Sequence, residues 1–224
     1  MIIERIGYKY GRGGMVEKVL KNLRWLGHDT FLLRSGSKSI YFDPFQLGSG
    51  LPPADIICIS HAHYDHCSPE DVRTIQQPST LIVTETEAAA KLTGKIMTLA
   101  PGERREAEGI IIETVPAYNT NKQFHPQGNS WLGFILTVDG VRVYHAGDTD
   151  YIPEMKNIRA DIALLPVSGT YVMTAEEAAQ AAITIGPKIA VPMHYAAIVG
   201  TNDDAKRFAA ALAGKVRVEI LGRG

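Results

Sequence analysis

The sequence predicts an α/β (α+β) fold, a four-layer αββα sandwich in which two β-sheets pack face to face between outer helices. Three observations predict it. Strand-like apolar runs occur in both halves of the chain, helix signals follow each set of strands, and the two halves share this layout. A sheet with an apolar face has to bury that face against another layer, and helices cover the outer faces.

Short apolar runs in the first half, bounded by glycine, serine or proline, are typical of strands. The predicted strands cover residues 23–26, 30–34, 39–42, 56–59 and 81–83, with extended chain again from residue 95. Ser68 is a suitable N-cap, and Pro69 a suitable first residue, for a helix to about Gln76. A second helix is predicted over residues 85–92 and is closed by Gly94.

The second half repeats the pattern, and the Asp-Gly dipeptide at 139–140 predicts a tight hairpin between two apolar runs. The predicted strands cover residues 109–115, 133–138, 141–144, 162–166, 189–191 and 216–221. Thr174-Ala175-Glu176-Glu177 fits a capping box, so a helix is predicted from there to Gly186. A last helix is predicted from Asn202-Asp203-Asp204 to Gly214.

With 224 residues, 45% of them hydrophobic, the chain is long enough to build one sizeable core. The strand pattern begins at residue 23. Residues 23–224 are therefore predicted to form a single domain, and residues 1–22 an N-terminal extension. Glycines interrupt the extension just before Met15, which makes Met15 a candidate for the natural start beside Met1.

Charge and cysteine content limit the function classes. The formal net charge is -1, with 23 Lys and Arg against 24 Asp and Glu, so the chain lacks the basic field that favours nucleic-acid binding. Cys58 and Cys67 are too few for a disulfide framework, which favours a reducing compartment and a cytoplasmic location. No apolar run approaches the roughly 20 residues of a membrane-spanning helix.

The strongest functional signal is the segment His61-Ala62-His63-Tyr64-Asp65-His66, which places four candidate metal ligands within six residues. It follows the apolar run at 56–59, which predicts a buried strand that ends at this loop. Imidazole and carboxylate groups suit zinc or another divalent first-row ion. The alternative is a polar loop whose histidines only form hydrogen bonds.

This segment resembles the His-x-His-x-Asp-His signature of the metallo-β-lactamase superfamily. Further landmarks match in order: Gly27-His28, Asp43-Pro44, Ala146-Gly147-Asp148-Thr149 and Pro192-Met193-His194-Tyr195. The resemblance implies a metallo-β-lactamase type of αββα fold and a site for two metal ions. It implies that His61 and His63 bind the first metal, that Asp65, His66 and His194 bind the second, and that Asp148 bridges them.

One landmark departs from the family pattern. The closest relatives in layout carry a further first-metal histidine soon after a Pro-Ala dipeptide, whereas this chain has Tyr118-Asn119 after Pro116-Ala117. The next histidine is His125, in a polar loop long enough to fold back over the site, and we predict it as the replacement ligand. The alternative is that Asn119 or water completes the coordination.

Weaker signals surround these candidate ligands. Asp43 follows a strand and suits an acceptor that orients a ligating histidine. Thr170 and Tyr171 follow the strand at 162–166 and are predicted to contact substrate, although packing explains Tyr171 nearly as well.

The predicted function is hydrolysis of a small ester, lactone or phosphoester by a hydroxide that a two-metal site activates, with Asp65 as the residue that orients it or transfers its proton. Zinc is the first expectation, and manganese, iron or nickel would fit the same ligands. The layout is similar to the branch of ascorbate-6-phosphate lactonase-like hydrolases. The alternatives are a phosphodiesterase or nuclease of the same superfamily, a di-iron oxidoreductase, and a non-catalytic metal-binding protein. A small-molecule substrate is expected, and the sequence does not predict the oligomeric state.

Overall fold

The computed structural model describes residues 12–224, which form two β-sheets. The first sheet has the order β1-β2-β3-β4-β5-β6. Its strands are β1 (Leu23–Gly27), β2 (Thr30–Ser35), β3 (Lys38–Phe42), β4 (Ile56–Cys58), β5 (Leu81–Thr84) and β6 (Lys95–Thr98). Antiparallel pairing joins β1 to β2 and β2 to β3, and parallel pairing continues from β3 to β6.

The second sheet has the order β13-β12-β11-β10-β9-β8-β7. Its strands are β7 (Arg104–Ala107), β8 (Ile110–Pro116), β9 (Leu132–Val138), β10 (Val141–His145), β11 (Ile162–Pro166), β12 (Ile189–Met193) and β13 (Arg217–Val218). Strands β7 to β10 are antiparallel, and β10 to β13 are parallel. Asp139 and Gly140 both have positive φ between β9 and β10, which confirms the predicted hairpin.

The described helices are α1 (Arg12–Lys21), α2 (Pro69–Ile75), α3 (Thr86–Ala89), α4 (Ala175–Ile185) and α5 (Asn202–Ala211), with 3₁₀ turns at Gln127–Asn129 and Pro153–Asn157. The predicted capping box of α4 is present between Thr174 and Glu177. The cap of α5 is Thr201, one residue before the predicted segment, and it pairs with Asp204. None of the helices in residues 12–224 has the length and apolar character needed to span a bilayer.

Alternating side chains of the first sheet enter two different cores. Ile40 and Phe42 of β3 belong to the core between the sheets, whereas Tyr41 faces a second core that includes Val72 and Ile75 of α2. Helices α4 and α5 pack on β11 and β12 of the other sheet. Because strand residues alternate between faces, the layers are helix, sheet, sheet and helix, which confirms the predicted αββα sandwich.

Four elements differ from the predictions. Helix α1 lies within the predicted N-terminal extension and buries Val16, Val19 and Leu20 in the core between the sheets. Strand β7 lacks an apolar pattern and forms through pairing with β8. The helix predicted over residues 85–92 and the strand predicted over 216–221 shrink to α3 and β13. Residues 1–11, including Met1, lie outside the described residues, so Met15 as the alternative start stays a prediction.

Candidate metal centre

The candidate ligands lie on loops at one edge of the sandwich. In the first sheet these loops follow β1, β3 and β4, and in the second sheet they follow β8, β10, β11 and β12. Strands β3 and β4 are parallel, as are β10, β11 and β12. Strands β1 and β8 stand two antiparallel steps from β3 and β10, so they point the same way. Ligand sites form outside the carboxyl ends of such strands.

The first group of candidate ligands consists of His61, His63 and His125, and its ligating atoms lie within 4.8 Å of one another. Nε2 of His61 is 3.1 Å from Nδ1 of His63. The Trp131 ring packs against His61, with ring centroids 4.6 Å apart. The loop after β8 therefore brings His125 to the two histidines of the sequence motif, at the position predicted for a replacement ligand.

Two of these imidazoles have a fixed tautomer. Nδ1 of His125 lies 3.1 Å from Oδ1 of Asn119 and 3.2 Å from the carbonyl oxygen of Tyr171. Both partners only accept, so Nδ1 carries the proton. The Ser60 hydroxyl donates to Asp43 and lies 2.9 Å from Nδ1 of His61, so it accepts from that nitrogen. In both rings Nε2 keeps its lone pair for a metal ion.

The second group consists of His28, Asp65, His66 and His194, again with ligating atoms within 4.8 Å of one another. Nδ1 of His66 donates to Oδ2 of Asp43 over 2.8 Å, as predicted for an orienting carboxylate. Nδ1 of His194 is 2.9 Å from the Ser168 hydroxyl.

His28 adds an imidazole to this group that the sequence did not assign. Its Nε2 lies 3.2 Å from Oδ2 of Asp65. The group therefore combines three imidazoles with a carboxylate and brings together the three residues that the sequence assigned to the second metal.

Asp148 lies between the two groups. Its Oδ2 is 3.1 Å from Nε2 of His125, 3.3 Å from Nε2 of His194 and 3.4 Å from Nε2 of His66. The side chain is 3% exposed, so these imidazoles are its main surroundings. A carboxylate in contact with histidines of both groups has the position that the resemblance implied for a bridging ligand.

Opposing charges set the protonation of the buried groups. Burial raises the pKa of Asp148, but the charges of His194 and His66 outweigh it and hold that pKa well below its usual range. Burial lowers the pKa of His66, but the carboxylates of Asp148 and Asp43 raise it well above its usual value. Burial and the charge on His66 lower the pKa of His61. In the metal-free site a protonated His66 therefore faces a carboxylate, and a metal ion would displace that proton.

Asp65 is a carboxylate throughout the neutral pH range. Burial acts to raise its pKa, but the hydrogen bond from His28 and the charge of His66 lower it to about 2. Its side chain is 15% exposed, so it reaches the cavity described below.

The residues present fit divalent metal ions. Nε2 of His66, Nε2 of His125 and Oδ1 of Asp148 are buried and form no well-aligned hydrogen bond with residues 12–224. Buried polar atoms without such partners are rare in native proteins. Here they point into a cluster of imidazoles and carboxylates, the donor set that zinc and related ions prefer.

A cavity of about 250 Å³ opens onto these ligands. Its polar lining consists of His63, Asp65, His125 and Asp148, and Tyr171 also lines it. Thr170 is exposed and is not among the lining residues, so of the two predicted substrate contacts only Tyr171 faces the cavity.

The side-chain amide of Asn119 is occupied by hydrogen bonds and is not free to bind a metal ion. Its Oδ1 accepts from the backbone N–H and from Nδ1 of His125, and its Nδ2 donates to the carbonyl of Tyr171 over 2.8 Å. The amide therefore orients His125.

Sequence reasoning left His28 unassigned and missed Asp29. Asp29 is fully buried, and its atoms lie near those of Asp148 and His194. Burial and the charge of Asp148 raise the pKa of Asp29 well above its usual range. Both residues occupy the turn between β1 and β2, where His28 has a φ of 49°. The signal available in the sequence was a pair of polar residues between two apolar strands.

Comparisons with known proteins identify the family. A family model described as a β-lactamase superfamily domain matches residues 22–194. A protein named metal-dependent hydrolase from Methanoculleus marisnigri is 35% identical over 222 residues, which cover 90% of this chain and 94% of the relative. The protein of the same name from Methanoregula boonei is 36% identical over 219 residues, which cover 91% and 96%. The chain belongs to the metallo-β-lactamase superfamily.

Solved structures agree with membership of the metallo-β-lactamase superfamily. The crystal structure of a protein from Parabacteroides distasonis that is named as a metal-dependent hydrolase has a TM-score of 0.80. It is 36% identical in sequence, and the match covers 89% of this chain and 91% of that one. A metallo hydrolase from Ignicoccus hospitalis has a TM-score of 0.73 and 26% identity, covering 90% and 95%. The predicted fold type and family resemblance are thereby confirmed.

Proposed function

We propose that this metallo-β-lactamase superfamily protein binds two divalent metal ions and hydrolyses a small ester, lactone or phosphoester. The position of Asp148 carries the proposal, because one of its oxygens lies within 3.4 Å of imidazoles from both ligand groups. A carboxylate can bridge two cations, and two-metal sites hold both the attacking and the leaving oxygen of a hydrolysis.

The two ions would occupy the two groups. His61, His63 and His125 would hold one, and Asp65, His66 and His194 the other, with Asp148 between them. Zinc is our first proposal because five of these residues are imidazoles, and manganese, iron or nickel suits the same donors. Divalent ions bound there would lower the pKa of a water molecule toward neutrality and polarise the bond to be cleaved.

Asp65 is the residue we propose for proton transfer. It lines the cavity, its carboxylate is ionised, and it can accept a proton from the attacking water and return it to the leaving group. His28 fixes one carboxylate oxygen by the 3.2 Å contact with Nε2. Because this contact limits rotation of the Asp65 side chain, it also fixes the direction of the second carboxylate oxygen.

The experiment is a hydrolysis panel of esters, lactones and phosphodiesters on protein whose metal content has been measured. Asp65→Asn should lower the rate by about 100-fold or more at pH 7, the usual range for loss of a proton-transfer group. Asp139→Asn is the matched control, because Asp139 is an exposed turn residue whose φ of 51° asparagine also adopts. Its rate should equal that of the unaltered protein.

Equal rates for Asp65→Asn and the unaltered protein would overturn the role of Asp65. Inactivity of the metal-loaded protein toward the whole panel would favour a non-catalytic metal-binding protein. Turnover of phosphodiesters alone would favour the phosphodiesterase alternative.

A further inference from the structure

The rim of the metal cavity is apolar. Tyr64, Phe124, Tyr171 and Ile198 line the cavity together with the polar residues, and all four are exposed. Seven large hydrophobic side chains are exposed among the described residues, and these are four of them. Single exposed apolar side chains are ordinary, but a cluster at the mouth of a cavity marks a binding site.

Part of this rim is held in place by the metal centre itself. Phe124 and Tyr171 form an edge-to-face pair with ring centroids 4.5 Å apart. Tyr171 has a φ of 70°, in the left-handed region that bulky side chains avoid. Its carbonyl accepts hydrogen bonds from Nδ2 of Asn119 and Nδ1 of His125, which stabilise that backbone conformation. The geometry of His125 and the position of the aromatic pair are therefore linked.

Another aromatic contact involves Tyr64, which also lines the cavity. Tyr64 follows His63 in the motif loop and packs edge-to-face on Phe45, with ring centroids 5.8 Å apart. Tyr64 is 67% exposed, so it has surface left for a bound molecule.

Cationic side chains are absent from the described residues that line the cavity. Lys122, in the loop before Phe124, is paired with Asp150 at 2.5 Å. Lys91 donates to the carbonyl of Ala62 over 2.6 Å. An anionic group seated among Tyr64, Phe124, Tyr171 and Ile198 would therefore lose water without gaining a cationic side chain there.

We infer that the substrate of the proposed hydrolase carries a compact, uncharged apolar or aromatic group beside the bond to be cleaved and no second anionic group. This inference rests on the proposed function. The cavity volume of about 250 Å³ lies below the roughly 300–1,000 Å³ of drug-sized sites, which limits the apolar group to about the size of a phenyl ring or a short alkyl chain. The apolar rim adjoins the candidate ligands directly, which favours a substrate over a lipid surface.

The first experiment compares phenyl butyrate with two anionic counterparts. One is 4-(butyryloxy)benzoate, with the charge on the leaving group, and the other is the monophenyl ester of glutaric acid, with the charge on the acyl group. We expect kcat/KM to be at least about tenfold higher for phenyl butyrate than for either anionic ester, because each anionic ester would have to bury a charge without a partner. Equal or better turnover of either anionic ester would overturn the inference.

The second experiment compares two isoleucines of equal exposure. Ile198, on the rim, is 39% exposed, and Ile183, on α4, is 40% exposed. Ile198→Ser should raise the KM of phenyl butyrate about fivefold with kcat little changed, since partial burial of the side chain by the substrate is lost. Ile183→Ser should change neither. An unchanged KM in Ile198→Ser, or an equal change in both variants, would contradict the inference.

A binding measurement separates this inference from the proposed function. Titration of metal-free protein with phenol, followed by calorimetry, should show saturable binding that Ile198→Ser weakens and Ile183→Ser leaves intact. Binding without hydrolysis of any ester would retain the apolar site and overturn the proposed function. Hydrolysis without such binding would retain the function and overturn the apolar site. Binding of the protein to neutral phosphatidylcholine vesicles, lost in Ile198→Ser, would indicate a lipid surface instead.

Discussion

The two groups of candidate ligands differ in the chemistry that holds them. In the first group, the ring nitrogens behind His61 and His125 contact a serine hydroxyl, the Asn119 amide and a backbone carbonyl, all neutral. In the second group, the carboxylate of Asp43 holds His66. That group also contains the carboxylate of Asp65.

This difference sets an order of affinity. A carboxylate behind an imidazole makes the ring a stronger ligand than a neutral acceptor does, and a carboxylate among the ligands adds direct attraction for a cation. We therefore expect the second group to bind its ion more tightly than the first. The first group, which has no carboxylate of its own, depends on Asp148 for negative charge.

The largest test removes the residue that the two groups share. Asp148→Asn should weaken binding of both ions by more than about 100-fold, beyond the range for a residue that only orients a ligand. Competition with a chromophoric chelator measures both affinities, and Asp139→Asn serves as the control. Loss of only one ion would assign Asp148 to a single group, and unchanged binding of both would contradict a bridging role.

The next test removes the atypical candidate ligand of the first group, His125. His125→Ala should reduce the metal content from two equivalents to one, because the first ion would lose one of its three imidazoles and keep only His61, His63 and the shared carboxylate of Asp148. The remaining ion should keep the affinity of the second group. Two equivalents bound at unchanged affinity would show that His125 is not a ligand.

A smaller effect is expected from the acid that distinguishes the groups. Asp43→Asn should weaken the second ion by about 10-fold to 100-fold, because the amide replaces the charged acceptor of His66. Asp139→Asn is again matched, since both aspartates have positive φ, 40° and 51°. Asp43 also accepts from Ser60, which contacts His61 of the first group. Equal weakening of both ions would therefore show that Asp43 supports both groups and would contradict the distinction drawn between them.

Residues that are contiguous in sequence were the most predictable part of the site. The segment 61–66 places four candidate ligands within six residues, and Asp43 directly follows the strand predicted over 39–42. The resemblance supplied Asp148 and His194 through short landmarks. The absence of a histidine after Pro116-Ala117 pointed to His125, and the structure brings that residue to the first group.

Tertiary contacts decided what the sequence did not predict. Asn119 has donor and acceptor groups that suit either a ligand or an orienting residue, and only the fold shows both groups bonded to the loop. In the sequence His28 looks like an ordinary turn residue, and only the tertiary structure places it beside Asp65 and His194. Helix α1 contains glycines at 13 and 14 that lower helix propensity, and burial of Val16 and Val19 outweighs them.

The smallest expected effect comes from a neutral orienting residue. Asn119→Ala removes one acceptor from Nδ1 of His125, but the carbonyl of Tyr171 still accepts from the same nitrogen at 3.2 Å. The first ion should therefore bind only about tenfold more weakly, the lower end of the range for orienting residues. The second ion should be unaffected, because the described partners of His66 and His194 do not include Asn119. Chelator competition on Asn119→Ala and Asp43→Asn, measured side by side, checks this. A larger loss of metal affinity in Asn119→Ala than in Asp43→Asn would show that the neutral partner of His125 matters more than the charged partner of His66.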